Sequence, residues 1–183
     1  IVRAHRLWER YLADEALMPL KDVHQHAHRR EHGMSPAQVA ALDAALGHPL
    51  TDPHGDPIPN AAGNFRPNLQ GRPLPEGQPG QVVNIIHLED EPPLAYAQIL
   101  AIGLQVGKTL RIVENNATRL VLTDGIEEYI LAPQVAANVF VDQLADNLPE
   151  AQNTMVLGDL ADNQRAEITH LSDQCQGFTR RRF

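Results

Sequence analysis

The chain has 183 residues, 43% of them hydrophobic, and a formal charge of −8 at pH 7. That length and apolar content allow one larger or two small packed cores, while the acidic balance argues against a free-standing nucleic-acid binder. No apolar run approaches the ~18 residues of a membrane span and no signal peptide is visible; a single Cys175 excludes an intrachain disulfide framework and fits a reducing, cytoplasmic setting.

Residues 1 to about 14 read as an amphipathic helix with an apolar stripe of Leu7, Trp8, Tyr11 and Leu12. Because Ile1-Val2-Arg3-Ala4 already reads as helix, without an initiator Met, the segment is expected to be part of a longer protein. Pro19 suits the first turn of a second helix and Gly33 its end. Ser35-Pro36-Ala37-Gln38 is an N-terminal signature for a third: Ser as cap, Pro at the first helical position, Gln reaching back. That helix carries Val39, Leu42, Ala45 and Leu46 and stops at Gly47.

The second helix holds the densest chemistry. Four of the nine histidines and a carboxylate fall between His24 and His32. At about 100° per residue, His28 lies at about +40° from His24, Glu31 at about −20° and His32 at about +80°, whereas His26, at about 200°, faces away. Imidazole and carboxylate donors at such spacing suit a divalent transition metal, with a solvated His-rich face as the alternative reading. On the first helix, His5 and Glu9 form another i, i+4 pair. If the two helices face each other across a tight turn, His5, Glu9 and His24 can share one ion while His28, Glu31 and His32 hold a second.

From Thr51 to Gly80 the chain is rich in Pro, Gly, Asn and Arg and reads as an extended, poorly packed linker. His54 and Asp56 are possible donors there, with an Asx-type turn the preferred reading. Strand patterns follow at Gln81–His87, Thr109–Val113, Arg119–Leu122, Glu127–Leu131 and Val139–Val141, with an apolar helix from Leu94 to Ile102. Five short strands with one helical insertion predict a small closed or nearly closed barrel. Leu74-Pro75-Glu76-Gly77-Gln78 recurs in part as Leu160-Ala161-Asp162-Asn163-Gln164, but the second copy runs out at Phe183 before its later strands.

Val2 to Arg10, Val23 to His32 and the run Asp52-Pro53-His54-Gly55-Asp56-Pro57-Ile58-Pro59 resemble, in order and spacing, the dimerisation domain of DtxR/MntR-type metal-dependent repressors. Residues from about 74 to 144, including Leu104 to Thr109, resemble the FeoA-like, SH3-like barrel that often follows it. The resemblance implies an α+β chain: a helical metal-binding dimerisation domain (1–60), a Pro/Gly-rich linker (61–73), an SH3-like five-stranded β-barrel (74–146) and an incomplete second FeoA-like repeat (157–183). It implies one metal site at His5, Glu9 and His24, completed by barrel donors from the Glu89-Asp90-Glu91 segment, of which Glu89 and Glu91 are the chosen pair. A second site falls on His28, Glu31 and His32, where His28 replaces the family's usual Cys or Glu.

The implied cofactor is Fe2+ or Mn2+, with Zn2+ also compatible with the donors. The implied assembly is a homodimer through the N-terminal helices. DNA contact would come only through an N-terminal winged helix not contained in these residues, and the segment itself is expected to make no membrane contact. Similar segments also form cytosolic C-terminal extensions of metal ABC-transporter permeases, the alternative parent. His28-Arg29-Arg30-Glu31-His32 formally matches the H-x-x-E-H zinc-peptidase signature. Such an enzyme needs a further carboxylate ligand and a substrate cleft, which three short helices before a proline-rich run offer poorly, so binding rather than catalysis is expected. Gly107-Lys108-Thr109 lacks the first Gly of a P-loop. Asn116-Ala117-Thr118 is a sequon only in a secreted chain.

Overall fold

The computed structural model describes residues 1–65 and 71–143. The expected second repeat at 157–183, Cys175, the end of the expected barrel and the middle of the linker lie outside the described residues. The described residues fall within one compact unit.

Three helices open the chain: α1 (Val2–Asp14), α2 (Leu20–Glu31) and α3 (Pro36–Ala45). The third starts where its sequence signature places it. Ser35 Oγ accepts from the Gln38 N–H at 3.3 Å, and Gln38 Oε1 accepts from the Ser35 N–H at 2.8 Å. This reciprocal cap satisfies two otherwise orphaned donors and contributes about 1 kcal/mol. α1 serves two small apolar clusters. Leu12 packs with Val23 and Ala27 of α2, flanked by Trp8 and Tyr11; Ala4 and Leu7 pack with Val39 of α3 and with Ile58.

Ile58 belongs to the stretch expected to be a loose linker, and there the expectation fails. Asp52, His54, Ile58 and Pro59 are buried. Thr51 and Pro57 form a β-bridge, Asp52 Oδ1 accepts the N–H groups of His54 and Asp56 at 2.9 Å each, and the Leu88 N–H donates to the His54 carbonyl at 2.8 Å. Gly55 has φ +95°, and a Cβ there would lie 2.0 Å from the Ile86 carbonyl oxygen. Turn-forming residues suit a tight packed loop as well as a linker, and composition alone does not separate the two. The Asx turn is real, but its acceptor is Asp52.

The rest is a six-stranded antiparallel sheet, β1 (Arg72–Pro73), β2 (Val82–Leu88), β3 (Thr109–Asn115), β4 (Leu120–Thr123), β5 (Glu128–Leu131) and β6 (Val139–Gln143), in the order β1-β6-β2-β3-β4-β5. All five expected strands are present. The two-residue β1 adds a sixth, too short to leave a periodic signal. Helix α4 (Pro93–Ala101) follows β2, and a single turn, α5 (Pro133–Ala136), precedes β6. Val83, Ile85, Leu88, Leu110, Ile112, Leu120 and Leu122 line the interior with Tyr96 and Ile99 of α4. Each such apolar side chain removed from water is worth about 1.5–3 kcal/mol. The β2–β6 register shifts between Ile85 and His87. That bulge changes the phase of β2, so that Leu88 rather than His87 follows Ile85 into the core. Among the described residues no helix is long and apolar enough to cross a membrane.

Candidate metal centre

Two carboxylates on facing helices each gather imidazoles. Glu9, 1% exposed, is on the buried side of α1, one turn after His5. Its Oε1 lies 2.9 Å from His5 Nε2 and 3.1 Å from His24 Nδ1 of α2. Donor atoms of His5, Glu9 and His24 all fall within 4.8 Å of one another. The barrel reaches the same place: Asp90 Oδ2 is 2.9 Å from His24 Nδ1. The second carboxylate, Glu31 at the end of α2, holds His28 Nδ1 at 3.0 Å and His32 Nε2 at 3.2 Å through Oε1, and His5 Nδ1 at 2.9 Å through Oε2.

His5 is thus shared between the two groups. Both its nitrogens can donate only in the imidazolium form. Burial disfavours that form, but the hydrogen bond and charge of Glu9, with the charge and hydrogen bond of Glu31, outweigh it and raise the His5 pKa above its ordinary 6.5. Burial likewise works against the Glu9 carboxylate, yet His5, His54 and His24 hold its pKa below the ordinary 4.5.

The surrounding electrostatics suit a cation. Burial, with Glu9 and Asp56 nearby, pushes the Asp52 carboxyl up to about 8, against the Asp56 N–H and the Arg6 guanidinium. Arg6 meets Asp52 at 3.6 Å and Asp56 at 3.1 Å, which leaves Glu9 and Asp90 to the imidazoles. Two carboxylates among imidazole nitrogens that can give up their protons match the charge and donor preference of a divalent transition ion. A cleft of about 210 Å³ opens over His5, Glu9, His24, His54 and Asp90.

The comparisons agree with this architecture. The family model described as "Iron dependent repressor, metal binding and dimerisation domain" matches residues 1–60. The solved structure titled "Manganese-dependent transcriptional repressor complex with manganese" aligns with a TM-score of 0.73 and 32% identity, covering 78% of this chain and 69% of that one. The chain belongs to the DtxR/MntR-type family of metal-dependent repressors. Within that family, the iron-dependent repressor IdeR of Mycobacterium tuberculosis is 35% identical over 95 residues, 52% of this chain and 39% of its own. The chain therefore spans about two fifths of the length of such curated relatives. A probable metal transport system membrane protein of Chlamydia trachomatis is 39% identical over 59 residues, 32% of this chain and 13% of its own.

Set against the sequence-based expectations for a member of this family, His5, Glu9 and His24 come together, and so do His28 and Glu31, with His32 reaching Glu31 from the helix end. His26 is exposed, as its helical phase predicts. The expected barrel donors lie apart from these groups. Glu89 faces His87, 3.9 Å away. Glu91 is exposed beside His24 and His28 and belongs to none of the convergent donor groups. Asp90, two residues past the end of β2, is the carboxylate of this segment that meets His24, at 2.9 Å. His54, read as a turn residue, is also brought to the cluster, grouped with Glu9 and Asp90. The only hint was its place in a compact run of turn formers, which gave no direction for its side chain.

Proposed function

We propose that this chain is the metal-sensing and dimerisation region of a metal-dependent transcriptional regulator, with Fe2+ or Mn2+ as its effector and the cytoplasm as its setting. The observation that carries the reading is the convergence of His5 and Glu9 from α1, His24 from α2 and Asp90 from the barrel within one cleft. His5, Glu9, His24 and Asp90 would hold the first ion, and His28, Glu31 and His32 would supply a second set. A bound dication supplies attraction that replaces proton-mediated contacts among these donors. The residues then fix α1 to α2 and both to the barrel. A dimer would present two such clamped units, and DNA would be met through a winged helix supplied elsewhere in the regulator.

The names of the iron- and manganese-dependent relatives support the choice of ion, and the His/carboxylate set also fits Zn2+. Affinity order alone favours zinc over manganese, so selection rests on geometry and supply. The likeness to the chlamydial membrane-transport protein covers only 59 residues, and does not favour the alternative of a regulatory extension of a metal-transporter permease.

Mn2+ titration with chelator competition tests the proposal. Wild type should bind Mn2+, and H5A, E9A and H24A should each weaken the tighter phase by at least about tenfold, since each removes a ligand rather than a supporting contact. Wild-type protein with no saturable Mn2+ or Fe2+ binding would overturn it. The peptidase reading is addressed by E31Q. A regulator loses metal at the second site on that change, whereas an enzyme keeps its zinc and loses peptide hydrolysis.

A further inference from the structure

We propose that His54 is a third imidazole ligand of the first metal centre, so that the Thr51–Ile58 loop, and not only the helices and barrel, is fastened by the ion. The inference rests on the metal-binding reading above and extends it to a residue outside both expected ligand sets.

His54 is 1% exposed, yet its side chain makes no hydrogen bond that would account for its burial. Nε2 is buried without a partner. Nδ1 lies 3.8 Å from Glu9 Oε1 and 4.0 Å from Asp52 Oδ1, both beyond hydrogen-bond reach. An imidazole withdrawn from water in this way costs free energy, and coordination through Nδ1, the nitrogen that faces Glu9, would offset part of that cost.

The separations fit shared coordination better than pairing. Two donors each about 2.1 Å from an ion lie about 3.0 Å apart at a right angle and about 3.8 Å apart at 130°. Around Glu9 Oε1 the three imidazole nitrogens stand at 2.9, 3.1 and 3.8 Å. The first two can also be hydrogen bonds; the third cannot, and falls within the spacing of two ligands on one ion. Donor atoms of Glu9, His54 and Asp90 lie within 4.8 Å of one another, as do those of His5, Glu9 and His24, and Glu9 is common to both groups. An ion seated beside Glu9 that draws the two groups together is then held by both. Glu9 and Asp90 balance its charge, and three neutral imidazoles complete a five-donor protein shell.

The backbone holds His54 for this role. Its N–H donates to Asp52 Oδ1 at 2.9 Å and its carbonyl accepts from Leu88 N–H at 2.8 Å. Its ring stands edge-on to Tyr96, centroids 5.2 Å apart. The ring is fixed on the barrel side of the cleft, facing His24 at 6.5 Å between centroids.

The test counts nitrogens. The full chain carrying H28A and H32A, two side chains 68% and 62% exposed, is loaded with one equivalent of Mn2+, and pulsed EPR with 15N-labelled histidine reports the directly bound imidazoles. Three are expected, and two would overturn the proposal. This measurement needs no change at His54, so it stands even if variants there fail to fold. H54Q in the same background should weaken Mn2+ by roughly tenfold or more and lose one nitrogen coupling; unchanged affinity and couplings would also overturn it. If H5A and E9A leave Mn2+ binding intact as well, the metal-site reading itself fails. If they abolish binding while H54Q does not, only the role of His54 is lost.

Discussion

His5 Nδ1 stands 2.9 Å from Glu31 Oε2, across 26 positions of sequence, and joins the two imidazole–carboxylate groups through a single ring. Its other nitrogen is committed to Glu9. A change in either group must therefore reach the other. In a double-mutant cycle on Mn2+ binding, H5A and E31Q should couple by more than about 0.5 kcal/mol, because they share one contact. Additive effects would mean the two centres act independently.

The same ring sets a pH dependence. The His5 pKa is raised above 6.5, so the metal-free fold gains from its protonation fully below that value and loses the gain as pH rises through the folded pKa. Glu9 is lowered below 4.5, so its contribution is present above 4.5 and lost as pH falls through the folded value. The metal-free protein should carry this pair's full stabilisation between those limits. Metal must displace the His5 proton, so Mn2+ affinity should rise with pH and keep rising above 6.5. Thermal melts of chelated and Mn2+-loaded protein between pH 5 and 9 should diverge with rising pH; parallel curves would contradict the assignment.

The sequence made some of this legible and hid the rest for physical reasons. Helical periodicity places His24, His28, Glu31 and His32 on one face of α2 because the spacing of side chains is a local property. The Ser35 and Gln38 cap is local in the same sense. His54 and Asp90 are not, since one sits on an aperiodic loop and the other just past a strand. Glu89, Asp90 and Glu91 offer the same donor chemistry, and only the path of the chain beyond β2 decides which of them meets His24. The loop containing Asp52 is buried by long-range contacts that its Pro- and Gly-rich composition cannot encode.

Asp90 links the barrel to α2 through His24, 2.9 Å away. D90A should weaken the first centre by about tenfold, near 1.4 kcal/mol. E89A, whose side chain faces His87, should change affinity less than twofold. Metal titration of the two variants checks this, and equal effects would remove the distinction between neighbours.

Gly55 should tolerate no side chain. Its φ of +95° is strained for an L-residue, and a Cβ would meet Ile86 O at 2.0 Å and His87 Cα at 2.9 Å. Backbone atoms cannot rotate away, so G55A must push the loop off β2 and carry His54 with it. We expect a loss of about 3 kcal/mol or more on chemical denaturation, together with weaker Mn2+ binding. A G55A protein of wild-type stability would show that the loop is not seated on the barrel as described.

Assembly follows from what the helices leave uncovered. Leu7 is fully buried, but Trp8 and Tyr11 on α1, Leu42 on α3 and Leu46 just after it are only half-buried, and Ala40, Ala41 and Ala44 of α3 are exposed. The two helical clusters are small and both depend on α1. An isologous dimer buries one such surface twice, and hydrophobic obligate interfaces often exceed about 2,000 Å² in total. The half-buried α1 and α3 faces are therefore expected to form a two-fold interface, with each barrel seated on its own helices through the Thr51–Ile58 loop. All proposed ligands come from one chain, so metal should stiffen each protomer rather than create the dimer. Sedimentation with and without chelator should give a dimer in both conditions. A monomer throughout would exclude this interface, and a dimer found only with metal would mean that ligands are shared between protomers.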